Sequence, residues 1–267
     1  MKNIRLNLYP GGMSRVATFS YDDGVYQDLK LIEILNKYGL KGTFHLNGGS
    51  IGVGDRKITA EDIGGYDGHE ISCHSLNHPW LQEMSRESVL YEVIEDRRVL
   101  EGLTGRPING MSYPYGTYND EVIELLKACG IVYCRTTVHS GGYGIPENFL
   151  AWHPTTHHRH EDIFQLIENY NEYKRFGMLY IWGHSYEFDR NEKRNNWEHI
   201  EEVCKRVSQI DSCWFATNIE IYNYLMALKQ LVFAVDNSSV VNPTALDIWV
   251  SVDGEPVKIP AGKTITL

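Results

Sequence analysis

The stretch TFSYDDG, residues 18–24, closes an apolar run with two adjacent aspartates and a glycine. Upstream of the pair, RVATFSY (residues 15–21) is rich in β-branched and aromatic residues and reads as a strand. Two like charges at the end of a buried strand cost free energy unless something positive sits beside them. Asp22 and Asp23 therefore need a cation or another positive group close by.

Working outward, the strand is followed by QDLKLIEILNKYG (27–39). Leu31, Ile34, Leu35 and Tyr38 share one helical face there, and Gly39 is the stop. The same unit recurs. Strands are expected at GTFHLN (42–47), HEISCHS (69–75), INGMSY (108–113), IVYCRTT (131–137), MLYIWGHS (178–185) and CWFAT (213–217). Helices are expected at 85–105 with Ser85 as N-cap, and at 119–130, 161–177, 197–210 and 218–231. About seven strand–helix alternations predict a mostly parallel sheet covered by helices, open or closed into a barrel. From residue 231 the texture changes to short β-like runs, with turn signals at Asp236-Asn237, Asn242-Pro243, Asp253-Gly254 and Ala261-Gly262. Residues 1–230 are therefore expected as the main α/β domain and 231–267 as a small β appendage.

Composition excludes some partners. The formal net charge of −10 argues against nucleic acid and anionic membranes, and leaves neutral sugars open. The cysteines are odd in number and form no CxxC pair, so reduced, buried side chains are expected. MKNIRLNLYPGG lacks the apolar core of a signal peptide and no run reaches the length of a membrane span, so the expected location is cytoplasmic.

In such a domain, chemistry gathers at the C-terminal ends of strands. Those ends carry Asp22-Asp23, His74 and His78 in HSLNH, the run SYPYG (112–116), Arg135, and His184 in WGHS. One carboxylate and two imidazoles make a ligand set for a catalytic divalent metal, which also relieves the paired aspartates. One aspartate ligates and the other stays ionised and accepts a proton. The i,i+4 spacing of His74 and His78 suits one ion if the segment makes a helical turn. Each signal alone has a plainer reading: unrelated histidines for HxxxH, a turn for DDG, aromatic packing for YPYG, a core histidine for His184. Their order and placement together favour a site.

With these motifs the chain resembles a polysaccharide deacetylase of the NodB-homology type, carbohydrate esterase family 4, over roughly residues 15 to 225. TFSYDDG is similar to that family's first motif, HSLNH to its second, YPYG to the tail of its third, and YIWGH (180–184) to its last. The resemblance implies a distorted (β/α) barrel. It implies that Asp23, His74 and His78 hold the metal, zinc first, with cobalt or nickel as alternatives. Asp22 would be the base activating a metal-bound water, the Tyr115 backbone N–H would stabilise the oxyanion, and His184 would be the acid. The implied activity is removal of N- or O-linked acetyl groups from a saccharide. The alternatives are an amidohydrolase of a small non-sugar amide or ureide on the same fold, and a non-catalytic carbohydrate-binding protein.

The chain departs from the family where its third motif carries an arginine, because that position is Ser112. Arg135, on the next strand, is expected to replace it and to hold Asp22 by two parallel hydrogen bonds; the plainer reading is that Arg135 points out past the strand end. NFLAWHPTTHH (148–158) offers Trp152 and Pro154 but no aspartate, so the residue orienting His184 is unassigned. HPTTHHRH (153–160) reads as a solvated loop before a helix, with a second metal site as the sharper alternative. Tyr113, Tyr115, Trp152, Trp182 and Tyr186 are candidate sugar-stacking walls, about half of them expected to be core packing instead.

Overall fold

All eight residues of the strand Arg15–Asp22 (β1) are buried. The computed structural model describes residues 2–267, and β1 is central to it. Its side chains alternate. Ala17, Phe19 and Tyr21 enter the main apolar core, with Leu31 and Leu35 of the helix Gln27–Lys37 (α1) and Val89 and Val93 of the helix Arg86–Thr104 (α2). Thr18, Ser20 and Asp22 lie on the other face, where Thr18 meets Asn218 and Ser20 meets His45. The two-residue period of a strand thus points Asp22 into the polar interior of a curled sheet.

The remaining sheet strands are Gly42–Leu46 (β2), Glu70–Cys73 (β3), Gly110–Ser112 (β4), Tyr133–Arg135 (β5), Thr156–His157 (β6), Gly177–Gly183 (β7) and Cys213–Phe215 (β8). They are parallel in the order β5-β4-β3-β2-β1-β7-β6, with β8 beside the first half of β1. Trp152 bridges to Arg135 at the β5 edge, and Thr156 pairs with Ile181 of β7, so one short segment spans the gap between the sheet's two ends. This is the expected distorted (β/α) barrel. The strand β6 was not expected. HPTTHHRH is not a solvated loop, because Thr155, Thr156 and His158 are buried. The helix expected over 161–177 ends at Glu172, because Gly177 already belongs to β7.

Helices Asp120–Ala128 (α3), Ile163–Glu172 (α4), Trp197–Ser208 (α5) and Asn218–Leu228 (α6) complete the cover. Their starts are set by side-chain caps: Asn119, Asn196 and Thr217 accept backbone N–H groups of α3, α5 and α6. The C-terminal residues form two small antiparallel sheets. One joins Val232–Phe233, Ser239–Val241 and Thr264–Thr266; the other joins Ile248–Val252 and Glu255–Ile259 to Ile4–Arg5 from the chain's beginning. Val240, Ile248 and Val250 pack with Tyr224, Leu225 and Leu228 of α6 in a second apolar cluster. All five cysteines are free thiols, and four of them are buried. No helix among the described residues is long and apolar enough to cross a membrane.

Candidate active site

The chain turns sharply out of β1. Asp23 and Gly24 both adopt positive φ (84° and 58°), so the chain bends at once and Asp23 faces the barrel mouth. Glycine suits the second position, where a Cβ would sit 3.1 Å from the Leu46 side chain. Asp23 takes its strained conformation because its N–H reaches the His45 carbonyl and its own carbonyl accepts Lys57 Nζ.

His74 and His78 meet across a bend rather than a helical turn. Ser75 and His78 have φ of 62° and 58°, and the imidazole centroids are 4.7 Å apart. The bend is fixed from several sides. Asn47 Nδ2 donates to the carbonyls of His74 and Ser75, Ser75 Oγ accepts the His78 N–H, and Glu92 accepts both the N–H and the side-chain amide of Asn77. Buried Asp96, on α2, accepts the N–H groups of Gly48 and His74. The spacing of the two histidines was legible in the sequence. The reason offered for it, a shared helix face, is corrected: left-handed residues do the work.

Asp23 Oδ1 lies 3.8 Å from both His74 Nε2 and His78 Nε2. Three ligands about 2.1 Å from one tetrahedral cation would stand about 3.4 Å apart, so the donor set fits such an ion after a small contraction. His74 Nδ1 donates to the Ser112 carbonyl at 2.9 Å, which leaves Nε2 free to ligate. Asp23, His74 and His78 each offer one ligand atom, and these atoms all lie within 4.8 Å of one another.

Asp22 is buried beside them, 3.9 Å from His74 Nε2. Ser112 Oγ donates to its Oδ1 at 3.0 Å, and Arg135 Nη2 donates to its Oδ2. The two parallel bonds expected from Arg135 are corrected to one. Its Nη1 goes instead to the Thr136 carbonyl, and Ser112 occupies the other carboxylate oxygen. The guanidinium is fully buried against the Trp182 ring, 4.4 Å from its centroid, so it does not point out past the strand end. Burial alone would push the Asp22 carboxyl up, but Arg135 and then the imidazoles of His74, His45 and His184 outweigh it and hold it well below the usual carboxylate range.

His184 follows β7 on the opposite side. Its Nδ1 is 3.9 Å from Glu187 Oε1, three residues on. Glu187 is buried and belongs to the turn Ser185–Arg190, so the nearest carboxylate to His184 was missed because it lies after the last motif rather than before it. Tyr115 has φ of 58°; its ring packs on His78 and stacks on Trp80, 3.9 Å between centroids. Trp80 and Tyr115 are both exposed, whereas Tyr113 and Trp152 are buried in the core. Trp80 went unnoticed because one tryptophan after HSLNHP carries no pattern. Two clefts open beside the site: one of ≈ 590 Å³ past Asp23, Tyr186 and Arg56, and one of ≈ 500 Å³ past His184 and Trp182.

Residues 11–134 match the polysaccharide deacetylase family. A peptidoglycan-N-acetylglucosamine deacetylase of Listeria monocytogenes, PgdA, is 26% identical over 107 residues, 39% of this chain and 22% of that protein. Bacillus subtilis YxkH is 28% identical over 116 residues, 42% of this chain and 40% of YxkH. The chain therefore spans less than half the length of these curated relatives. Among solved structures, a Mycobacterium smegmatis protein classed with the polysaccharide deacetylases covers 83% of this chain and 93% of its own, with TM-score 0.61 and 17% identity. A Bacillus anthracis protein described as a family 4 pseudoenzyme has TM-score 0.52 and 14% identity, covering 78% of this chain and 65% of its own. These structures share the fold. The paired aspartates, both metal-set histidines and Tyr115 all fall within residues 11–134, the part of the chain that matches the polysaccharide deacetylase family.

Proposed function

We propose that the protein is a metal-dependent hydrolase that removes N- or O-linked acetyl groups from a saccharide. The observation that carries this reading is Asp22, a buried carboxylate fixed by Arg135 and Ser112 against the edge of a three-donor cation site. A pseudoenzyme has no need to keep a base in that state. Zinc, cobalt or nickel suits two imidazoles and a carboxylate, and when bound it supplies Lewis-acid polarisation of the acetyl carbonyl and of the attacking water.

The chain's own residues do the rest. Asp22 takes the proton of the attacking water. Both its oxygens are held by donors, so the carboxylate does not rotate away. The Tyr115 backbone N–H donates to the developing oxyanion, an interaction of about 3–4 kcal/mol in comparable sites. His184 turns Nδ1 toward Glu187, which leaves Nε2 to protonate the departing amine or alcohol. Glu187 is the positioning residue that the sequence left unassigned. The exposed faces of Trp80 and Tyr115 suit a pyranose ring.

The clefts on either side of the site favour an extended saccharide over a small ureide, which would call for a closed pocket. The names of PgdA and of a Cryptococcus neoformans chitin deacetylase support an N-acetylhexosamine unit. Acetate release from acetylated chito- and xylo-oligosaccharides, before and after chelation and with zinc, cobalt or nickel added back, tests the reading. No release from any of them under any metal would sink it.

A further inference from the structure

A second group of donors converges beside the first. His157 at the end of β6, His184 and Glu187 each offer a ligand atom, and these atoms all lie within 4.8 Å of one another. His157 Nε2 is 3.4 Å from Glu187 Oε2, the separation expected for two tetrahedral ligands about 2.1 Å from one cation. Glu187 is 5% exposed, and among the described residues neither its Oε2 nor His184 Nδ1 has a hydrogen-bond partner. Leaving a buried carboxylate oxygen and a buried imidazole nitrogen unmatched is costly. Here both border a cleft open to the surface. Behind them, buried His158 hydrogen-bonds through Nε2 to Asn195 Oδ1 at 3.2 Å, and the same nitrogen stands 3.2 Å from Glu187 Oε2 without making a hydrogen bond to it.

We propose that His157, His184 and Glu187 bind a second divalent cation of the zinc type, and that this ion switches off proton delivery by His184. The binding part stands on geometry alone; the switch rests on the acid role given to His184 above. An imidazole ligated at Nδ1 has no imidazolium form, so it cannot act as an acid near neutral pH. Occupancy costs two contacts. Coordination through His157 Nε2 moves the ring proton to Nδ1 and gives up the Arg159 N–H, now 3.2 Å away. Arg190 Nη1, 3.7 Å from Glu187 Oε1, must turn to solvent, where much of it already lies. The second site is therefore weaker than the first and fills only when the metal is in excess.

Zinc titration of the metal-stripped protein, read by calorimetry and by elemental analysis after dialysis, tests the site. The parent should bind two ions with separate affinities. His157→Ala and the bulkier His157→Gln should keep the tighter one and weaken the other at least about 10-fold. His78→Ala should lose the tighter and keep the weaker. A parent that binds a single zinc, or both His157 variants binding two with parental affinity, overturns the proposal. The activity arm is separate. Excess zinc should slow the parent at least about 10-fold on an N-acetyl substrate, much less on an aryl acetate that needs no acid, and hardly slow His157→Ala. Two bound zincs with no such inhibition would uphold the site and discard the switch. Two bound zincs on a protein that releases no acetate at all would uphold the site and discard the proposed function.

Discussion

Asp22 is gripped by Ser112 and Arg135 and sits on the central strand, whereas His184 stands 3.9 Å from its nearest carboxylate with Nδ1 unbonded. The same contrast runs through their surroundings. The loops around Asp23 and His78 are pinned by Asn47, Glu92, Asp96 and Lys57, while the His184 side faces an open cleft lined by exposed Arg159. A base and a cation site must be aligned before substrate arrives, because charge misplaced by an ångström loses much of its effect. An acid must meet a leaving group that differs from one saccharide to the next, and a looser mount allows that. Damage to the two sides should therefore show different signatures.

The largest effect should come from the metal set. His78→Ala removes one of three donors and should abolish at least about 10⁴-fold of the turnover, beyond the range of acid–base loss alone. Metal analysis should show the tighter ion gone. Parental metal content in this variant would break the assignment.

Next come the base and the acid, and here the two sides separate. Asp22→Asn keeps its shape and its Ser112 contact, so it should retain metal while losing about 10²–10⁴ in kcat. His184→Ala should lose a similar factor on an acetamide. An aryl acetate, whose leaving group needs no proton, should rescue His184→Ala far more than Asp22→Asn. Equal losses on both substrates would mean that His184 does not protonate the leaving group.

A smaller effect is expected at Arg135. Arg135→Met removes one charge-assisted hydrogen bond, of the class worth about 1.5–3 kcal/mol, so kcat should fall about 10–150-fold with metal retained. Asp22 would lose the strongest of the partners that hold its carboxyl down, so its pKa should rise and the acidic limb of the pH–rate profile should move to higher pH. An unmoved limb would show that Ser112 and the imidazoles suffice.

How much of this was legible followed the same divide. The α/β alternation, the barrel, Asp22, Asp23, His74 and His78 all carry local patterns, because strands and motif loops are set by neighbours in sequence. The Arg135–Asp22 pair could be inferred only as a consequence of Ser112, since it joins residues 113 positions apart. Its single-bond geometry was not legible, because nothing in the sequence says that Ser112 would turn its hydroxyl to the same carboxylate. The His184 side was read least well. Glu187 has no motif, β6 is two residues long, and the burial of His158 depends on Phe188 and Tyr21 packing around it. Histidine-rich polar text looks like a loop until the fold supplies its partners.

The smallest effect on the site is predicted at the other end of the barrel, where it tests whether the contrast is local. Glu70 is buried and accepts hydrogen bonds from Tyr133 Oη, Thr43 Oγ1 and the Ile219 N–H. Burial outweighs these bonds and pushes its carboxyl up to about 7. The folded pKa lies above the unfolded one, so the folded state holds a proton that the unfolded chain has released. Stability then falls as pH rises from about 4.3 to about 7, and levels off beyond. Glu70→Gln removes that titration and keeps the Thr43 and Ile219 bonds through its carbonyl, with its amide turned to the Tyr133 hydroxyl. The variant should gain in Tm over the parent progressively across this window, with turnover and metal content unchanged. The variant's own loss of stability across this window should be smaller than the parent's rather than absent, because Asp28 and Asp96 are buried carboxyls also raised to about 7. A difference in Tm that stays flat from pH 4.5 to 8 would show that Glu70 is ionised in the folded protein throughout, and a loss of activity would show that the two ends of the barrel are coupled.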